Sequence, residues 1–476
     1  MDLALRILGV AGIIGATVGL TRFPGFETGN IRYLLIPVFL AGVGVACLRI
    51  TYGGKSRDIK QICLSSLLSL FVALYVFEWF FAMDKVRLEQ NEAFAIAATA
   101  KRLGIPNDRR SKFEVIDDLR AKGVDAVPFV PFTFHLQPRD TNGQRISKHW
   151  IDDKEILPLN GIGGLRTIVG CNERGNWWTY PGDRFGYNNP DELWDSQHIQ
   201  IVLVGDSFTH GSCVENDQNV PAVLRTRYPK TINLGWGGTG PLVYLATIRE
   251  YAALVKPDVV LFMFFEGNDL IGMNKFKENP VLLRYLDGNF KQDLLSHRAE
   301  LDRRTSDLVT EKRKTEETKG DKETDSYFLD DIDSLFVLRN TRHLLNLRRT
   351  KIPTGTLSTK AFIPDYDLFE RILAVAKKDV ASWGGKLYLV HLPFRPLQGD
   401  TYLNDVRSHV QKVTARLSIP VIDIVSHMAA ESGLSRSAEQ QYFDNRFSHY
   451  SEEGYRLVAE AVLSRLERDR VLSGGL

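Results

Sequence analysis

The sequence predicts an α/β protein: a doubly wound, five-stranded parallel sheet, preceded by three N-terminal transmembrane helices. Three observations carry this expectation. Ile201-Val202-Leu203-Val204 is a run of four β-formers, as in a parallel strand covered on both faces, and it stops abruptly at Gly205-Asp206-Ser207. Further apolar runs at 230–234 and 257–265 also end in glycine with polar residues, and helical stretches separate them, which is the rhythm of βαβ units. Residues 1–83 are strongly apolar, whereas the remainder is an ordinary globular mixture.

A chain of 476 residues is too long for one ordinary domain, and 44% hydrophobic with 25% charged residues is a globular average over unlike parts. Its formal net charge of +2 gives no argument for a nucleic-acid partner, and none is expected. The four cysteines are too few for a disulfide framework: Cys47 and Cys63 fall in apolar segments, while Cys171 and Cys213 either pair in an oxidising compartment or stay as buried thiols. Dispersed histidines and the lack of Cys-x-x-Cys spacing give no metal cluster, so no metal or cofactor is expected.

The apolar runs at 3–20, 33–50 and 61–83 each approach the roughly 20 residues that cross a bilayer as a helix. A cleaved signal peptide would account for the first run only. The second loop carries Arg49, Lys55, Arg57 and Lys60 against Asp58, and the first carries Arg22, Glu27 and Arg32. Positive-inside bias then puts the second loop in the cytoplasm and everything after Met83 outside, making 1–84 a membrane anchor. Glu78, beside Trp79 near the outer end of the third run, reads as an interfacial carboxylate.

Residues 85–198 form a helical linker and a mixed, β-rich segment, with helices expected at 85–104 and 112–122 and extended chain at 124–136. The aromatics Trp177, Trp178, Tyr180, Phe185 and Tyr187 are of the kind on which sugar rings stack, but strands of a small β subdomain carry the same residues, and packing is the reading taken.

Residues 199–476 hold the candidate chemistry. Gly205 permits the sharp exit that leaves Ser207 at the carboxyl end of a strand, where α/β sheets place their sites. A serine hydroxyl needs a base to take its proton and amide donors to hold the resulting oxyanion. The run Asn233-Leu234-Gly235-Trp236-Gly237-Gly238-Thr239-Gly240 lets backbone amides approach a ligand closely, and Asn268 in Glu266-Gly267-Asn268-Asp269 offers a carboxamide donor. Neither phosphate-binding glycine pattern appears in the right strand–helix context.

Gly205-Asp206-Ser207, Asn233 to Gly238 and Gly267-Asn268-Asp269 together resemble the first three blocks of the SGNH/GDSL hydrolase superfamily. The resemblance implies a three-layer fold, Ser207 as nucleophile, and an oxyanion hole from the Ser207 amide, the Gly238 amide and the Asn268 side chain, with Gly237 as the alternative to Gly238. The family's last block, Asp-x-x-His before a final helix, is matched by His449, Gly454 and the helical tail, which implies His449 as the base. Arg446 stands three before His449, where that block has its acid; Asp444, five before, or a backbone carbonyl is left to orient the imidazole. His210 and His391 are rival bases, read instead as structural or cleft-lining residues.

A charged insertion is expected at about 287–360, with a solvated helix or loop at 311–322 and an amphipathic stretch at 334–347 that packs or forms a lid. Helices at 366–382, 406–417 and 454–466, and strands at 386–391 and 420–424, complete the sheet. The resulting expectation is a serine-dependent acyl-ester hydrolase acting on an O-acylated cell-envelope glycan or lipid, held extracytoplasmically on a bacterial inner membrane. Two alternatives remain. One is an O-acetyltransferase supplied with donor by a separate membrane protein; the other is a non-catalytic glycan-binding protein on the same scaffold.

Overall fold

The computed structural model describes residues 93–315, 364–394, 401–432, 442–443 and 449–472, with scattered residues between 2 and 69. The chain divides into two compact units, Met1–Leu88 with Glu323–Ile352 and Glu89–Lys322 with Pro353–Leu476. In the first, short helical pieces at 48–52 and 57–62 are described, the Arg6 guanidinium lies 4.8 Å from the Tyr52 ring centroid, and Lys60 pairs with Asp2 at 3.0 Å.

The expected architecture needs correction here. Among the described residues, no helix is long and apolar enough to cross a membrane. The greater part of 3–20, 33–50 and 61–83 lies outside the described residues. Apolar composition alone does not make a span, which needs an unbroken helix of about 20 residues. The three-span anchor, and the inner-membrane location inferred from it, are therefore not retained.

The second unit is built on a sheet of β6 (Ile201–Gly205), β7 (Thr231–Gly235), β8 (Val259–Phe265), β9 (Lys386–Leu392) and β10 (Val421–Asp423) in the order β10-β9-β8-β6-β7. All four pairings are parallel. The chain leaves β6 to one side for β7 and crosses to the other side for β8, so the strand order reverses at β6, and Ser207 follows that strand.

Alternate residues of each strand serve opposite faces. Val202, Val204, Ile232, Leu234, Val260 and Phe262 pack in one core with the helices α4 (Pro241–Thr247), α7 (Tyr366–Ser382) and α8 (Thr401–Arg416). Ile201, Leu203, Val259, Leu261 and Met263 pack in the other with α3 (Val220–Arg225) and α10 (Glu452–Asp469). Every residue of β6, β7 and β8 is buried, which is why these strands read as unbroken apolar runs.

In the preceding segment residues 93–103 are helical, within the stretch expected at 85–104, and α1 (Lys112–Ala121) follows, opening with a capping box between Ser111 and Glu114. A small sheet follows in the order β1-β4-β5, from β1 (Ala126–Pro128), β4 (Thr167–Val169) and β5 (Thr179–Pro181). The hairpin of β2 (His149–Ile151) and β3 (Lys154–Ile156) lies between β1 and β4 in the chain. Phe132, Leu136, Leu157, Leu159 and Tyr187 share the core of the large sheet. At the start of the charged stretch, residues 298–315 form the helix α6: Arg298 donates to Asn160 Oδ1 at 2.6 Å and to the Gly161 carbonyl at 2.7 Å, and Leu301 is buried. Residues 316–363, including the expected amphipathic stretch at 334–347, lie outside the described residues.

Candidate active site

Ser207 opens α2 (Ser207–His210), a single turn that begins directly after β6. Asp206 caps it, its Oδ1 accepting from the Phe208 amide at 2.9 Å. The turn fits only because its neighbours are glycines. A Cβ on Gly205 would sit 1.9 Å from Thr209 Oγ1, and one on Gly235, at the end of β7, would sit 2.4 Å from the His210 backbone nitrogen.

His449 precedes α10, whose first turn is capped by Ser451 accepting from the Gly454 amide at 3.1 Å. Gly454 approaches the Tyr442 carbonyl so closely that a Cβ there would lie 2.6 Å from the oxygen. The adjacent Tyr450 hydroxyl donates to the Pro393 carbonyl at 2.7 Å, and the Phe208 ring lies 4.8 Å from the imidazole centroid.

These elements bring Ser207 and His449 together, with Oγ 2.7 Å from Nε2. On the far side of the ring, Nδ1 lies 2.9 Å from Glu173 Oε2, which also accepts from the His449 amide at 3.0 Å. A carboxylate only accepts, so Nδ1 carries the proton and Nε2 is left to accept from the serine hydroxyl. Burial pulls the His449 pKa down, but the charge and hydrogen bond of Glu173, helped by Asp206, outweigh it and hold the imidazole above its ordinary value. Burial pushes the Glu173 carboxyl up, and the neighbouring imidazole with its hydrogen bonds more than reverses this, leaving it below the usual carboxylate value.

Glu173 was not legible as a site residue. It sits in Cys171-Asn172-Glu173-Arg174-Gly175, between β4 and β5, in a turn without motif character. One signal pointed to it: Cys171 and Cys213 form a disulfide with Cα atoms 5.8 Å apart, so a residue two after Cys171 lies close to one six after Ser207. Asp444 and Arg446 lie outside the described residues; the carboxylate described at Nδ1 is that of Glu173.

Gly238 and Asn268 follow β7 and β8, the two strands flanking β6, and so reach the same sheet edge as Ser207. The glycine loop is tied across the end of β6, since the Trp236 amide donates to the Gly205 carbonyl at 2.9 Å and Thr239 Oγ1 to the same oxygen at 3.2 Å. Gly238 has φ +79°, a conformation that glycine adopts freely. A Cβ on Gly237 would lie 3.6 Å from Ser207 Cβ, so this loop passes directly over the serine. Asn268 precedes α5 (Asp269–Phe276); Asp269 locks that corner by accepting from the Phe265 amide at 2.9 Å and the Tyr244 hydroxyl at 2.6 Å. Burial pushes the Asp206 carboxyl up to about 6 and the Asp269 carboxyl well above the carboxylate range.

The rival histidines are occupied elsewhere. His210 is fully buried among Phe129, Trp178 and Trp236, with Nε2 3.0 Å from the Tyr180 hydroxyl, and burial drops its pKa to about 3. His391 Nε2 lies 3.0 Å from Glu266 Oε2, and Arg407 donates to both oxygens of that carboxylate. The buried Trp178, Tyr180 and Tyr187 are thus packing residues. Among the described residues, Glu173, Cys213 and His449 alone are grouped closely enough to suggest a metal site, and the Cys213 sulfur is already bonded to Cys171.

The fold is α/β, its parallel sheet reverses order at the serine-bearing strand, and at the carboxyl end of that strand serine, histidine and carboxylate are joined by hydrogen bonds. No protein-family model matches the chain, and no curated protein matches it. Solved structures similar to it include a lipase/acylhydrolase, an acetyl xylan esterase and a GDSL-like lipase. The lipase/acylhydrolase from Enterococcus faecalis is 14% identical, the match covering 58% of this chain and 99% of that one at a TM-score of 0.32. An acetyl xylan esterase is 13% identical, covering 56% and 100% at 0.31. A GDSL-like lipase from Bacteroides thetaiotaomicron is 11% identical, covering 58% and 92% at 0.30. At these values the chemistry of the site rests on this chain's own geometry.

Proposed function

We propose that this protein is a serine-dependent acyl-ester hydrolase, with Ser207 as nucleophile, His449 as general base and then acid, and Glu173 as the carboxylate that orients the imidazole. The observation that carries the reading is the continuous relay from Glu173 Oε2 through His449 to Ser207 Oγ, at 2.9 and 2.7 Å. His449 Nε2 takes the hydroxyl proton as Oγ attacks the ester carbonyl carbon. The carbonyl oxygen becomes an oxyanion, held by the amide of Ser207, the amide of Gly238 or its neighbour Gly237, and the Asn268 carboxamide. The Ser207 amide, at the first position of α2, has no intrahelical carbonyl to bond. Collapse expels the alcohol, which receives the proton from His449, and leaves Ser207 acylated. Water then attacks the acyl carbon, giving its proton to His449, and the free acid and Ser207 are restored.

The substrate we assign is an O-acylated glycan or lipid with a short acyl group. The test is release of acid from a small chromogenic acetyl ester and from an O-acetylated oligosaccharide, for the full chain and for Ser207→Ala. Ser207-dependent release of acetate from both supports the hydrolase; acetyl transfer to an added sugar acceptor in preference to water would replace it with a transferase. A folded protein showing neither turnover nor acyl-serine would remove the catalytic reading.

A further inference from the structure

We infer that the Cys171–Cys213 disulfide is a positioning device of the active site, holding Glu173 against His449. This rests on the reading of Ser207, His449 and Glu173 as the reacting relay. Glu173 belongs to none of the strands or helices that carry the other two; it projects from the turn between β4 and β5. Across that hairpin the Gly170 amide donates to the Trp178 carbonyl at 2.8 Å and the Trp178 amide to the Cys171 carbonyl at 2.9 Å; at the tip the Gly175 amide donates to the Asn172 carbonyl at 3.4 Å, Asn172 Nδ2 donates to the Asp108 carbonyl at 2.8 Å, and the Asp108 amide donates to the Gly175 carbonyl at 2.6 Å. Links to other segments place the tip.

The disulfide joins the tip to the loop leaving α2. This loop turns through Gly211 and Cys213, both with positive φ, so that the Cys213 sulfur arrives 3.9 Å from His449 Nδ1. Arg174, with 10% of its side chain exposed, pairs at 3.0 Å with Glu452, in the first turn of the helix that follows His449. The Tyr455 hydroxyl, from the same helix, donates to the Ser212 carbonyl at 3.2 Å. A closed circuit results: Ser207, α2, Cys213, Cys171, Glu173, His449 and back to Ser207 Oγ. The bonds to Asp108 and the Arg174–Glu452 pair hold the two flanks of the tip, whereas the disulfide ties it to the loop that leaves α2; opening it loosens a glutamate with several rotatable bonds, and holding that side chain in place costs conformational entropy. The Cys213 sulfur, 3.9 Å from Nδ1, also stands beside the Nδ1–H, on a side chain that keeps 17% exposure and whose Glu173 partner keeps 25%.

Opening the circuit chemically requires a dithiol reductant. Two electrons and two protons pass to the sulfur pair, giving the Cys171 and Cys213 thiols, while the reagent closes to its cyclic disulfide.

The experiment uses the full chain and compares the wild type with the C171S/C213S double variant, Glu173→Gln, the triple variant and Ser207→Ala. Two readouts are taken: kcat and KM for a chromogenic acetyl ester as a function of pH, and the titration of His449 by NMR. The expected result is a loss of about 10²-fold in kcat with KM little changed, as for a reacting group displaced by about 1 Å. The His449 titration moves to lower pH, and the cysteine changes have little further effect once Glu173 is Gln. Treating the wild type with dithiothreitol reproduces the loss while far-UV circular dichroism is retained, and reoxidation reverses it. This arm serves equally if the double variant does not fold. An unchanged kcat and His449 titration, or a loss of the same size with or without Glu173, would make the disulfide a general stabiliser and overturn the inference. Activity surviving Ser207→Ala would sink the catalytic reading instead, and the His449 titration would still decide the role of the disulfide.

Discussion

At Glu173 two opposing effects meet on one imidazole. Burial lowers the His449 pKa and the carboxylate raises it, with the carboxylate prevailing. The base must be neutral to accept the serine proton, so kcat/KM should rise with pH through a midpoint above the ordinary imidazole value of about 6.5. Glu173→Gln keeps the size and removes the charge, leaving burial unopposed except by Asp206. The midpoint should then fall, and kcat should drop by about 10²–10⁴-fold because the amide no longer stabilises the imidazolium by charge and can donate its NH2 to Nδ1, favouring the tautomer whose Nε2 carries the proton. A pH–rate profile of the two proteins checks both effects, and an unshifted acid limb would argue against Glu173 as the partner. Ser207→Ala should cost on the order of 10⁴-fold or more in kcat without loss of fold, read from the ester assay beside a thermal melt.

The elements that carry these residues are held by close backbone approaches. The end of β7 presses on α2 at Gly235, where an added methyl would meet the His210 backbone nitrogen at 2.4 Å, and backbone cannot rotate aside. Gly235→Ala should therefore destabilise by about 1–3 kcal/mol and, by pushing the serine-bearing turn, also reduce kcat. Urea unfolding at unchanged m, beside the ester assay, measures the two effects. The end of β8 is held differently, by Glu266, whose side chain is fully buried against His391, Arg407 and the Phe394 amide. Glu266→Ala leaves that guanidinium without this carboxylate, and removing one partner of a buried ion pair costs about 3–5 kcal/mol. Arg407 retains 22% exposure, so the low end is expected in the unfolding free energy.

Across the second unit, the upstream segment and the large sheet share apolar core. Ile156, Leu157 and Leu159 belong to the same buried cluster as Val202 and Val204 of β6, and the Trp236 indole donates to the Val130 carbonyl at 2.9 Å. The segment that delivers Glu173 is thus packed into the body bearing Ser207. Hydrogen exchange should show the amides of Ile156, Leu157 and Leu159 and those of β6 opening with comparable free energies. Early, separate exchange of the first three would mean that the segment docks only loosely.

What the sequence determined by itself was local. Four β-formers ending in Gly-Asp-Ser, two further strands ending in glycine and a polar residue, and a histidine before a capped helix are each contiguous in the chain. Periodicity and turn chemistry therefore revealed the parallel sheet and exposed Ser207, and the resemblance of the motif blocks to a hydrolase superfamily singled out His449, which lies 2.7 Å from it. Hydropathy in residues 1–83 supported spans that no described helix provides. Tertiary structure alone decided which carboxylate meets Nδ1. Glu173 lies 276 residues from His449, in a turn whose sequence carries no periodicity, and only the packing of that hairpin and the Cys171–Cys213 link bring it to the imidazole. It also showed where His210, read from the sequence as structural or cleft-lining, sits: fully buried among four aromatic side chains with Nε2 3.0 Å from the Tyr180 hydroxyl, while Ser207 Oγ bonds His449.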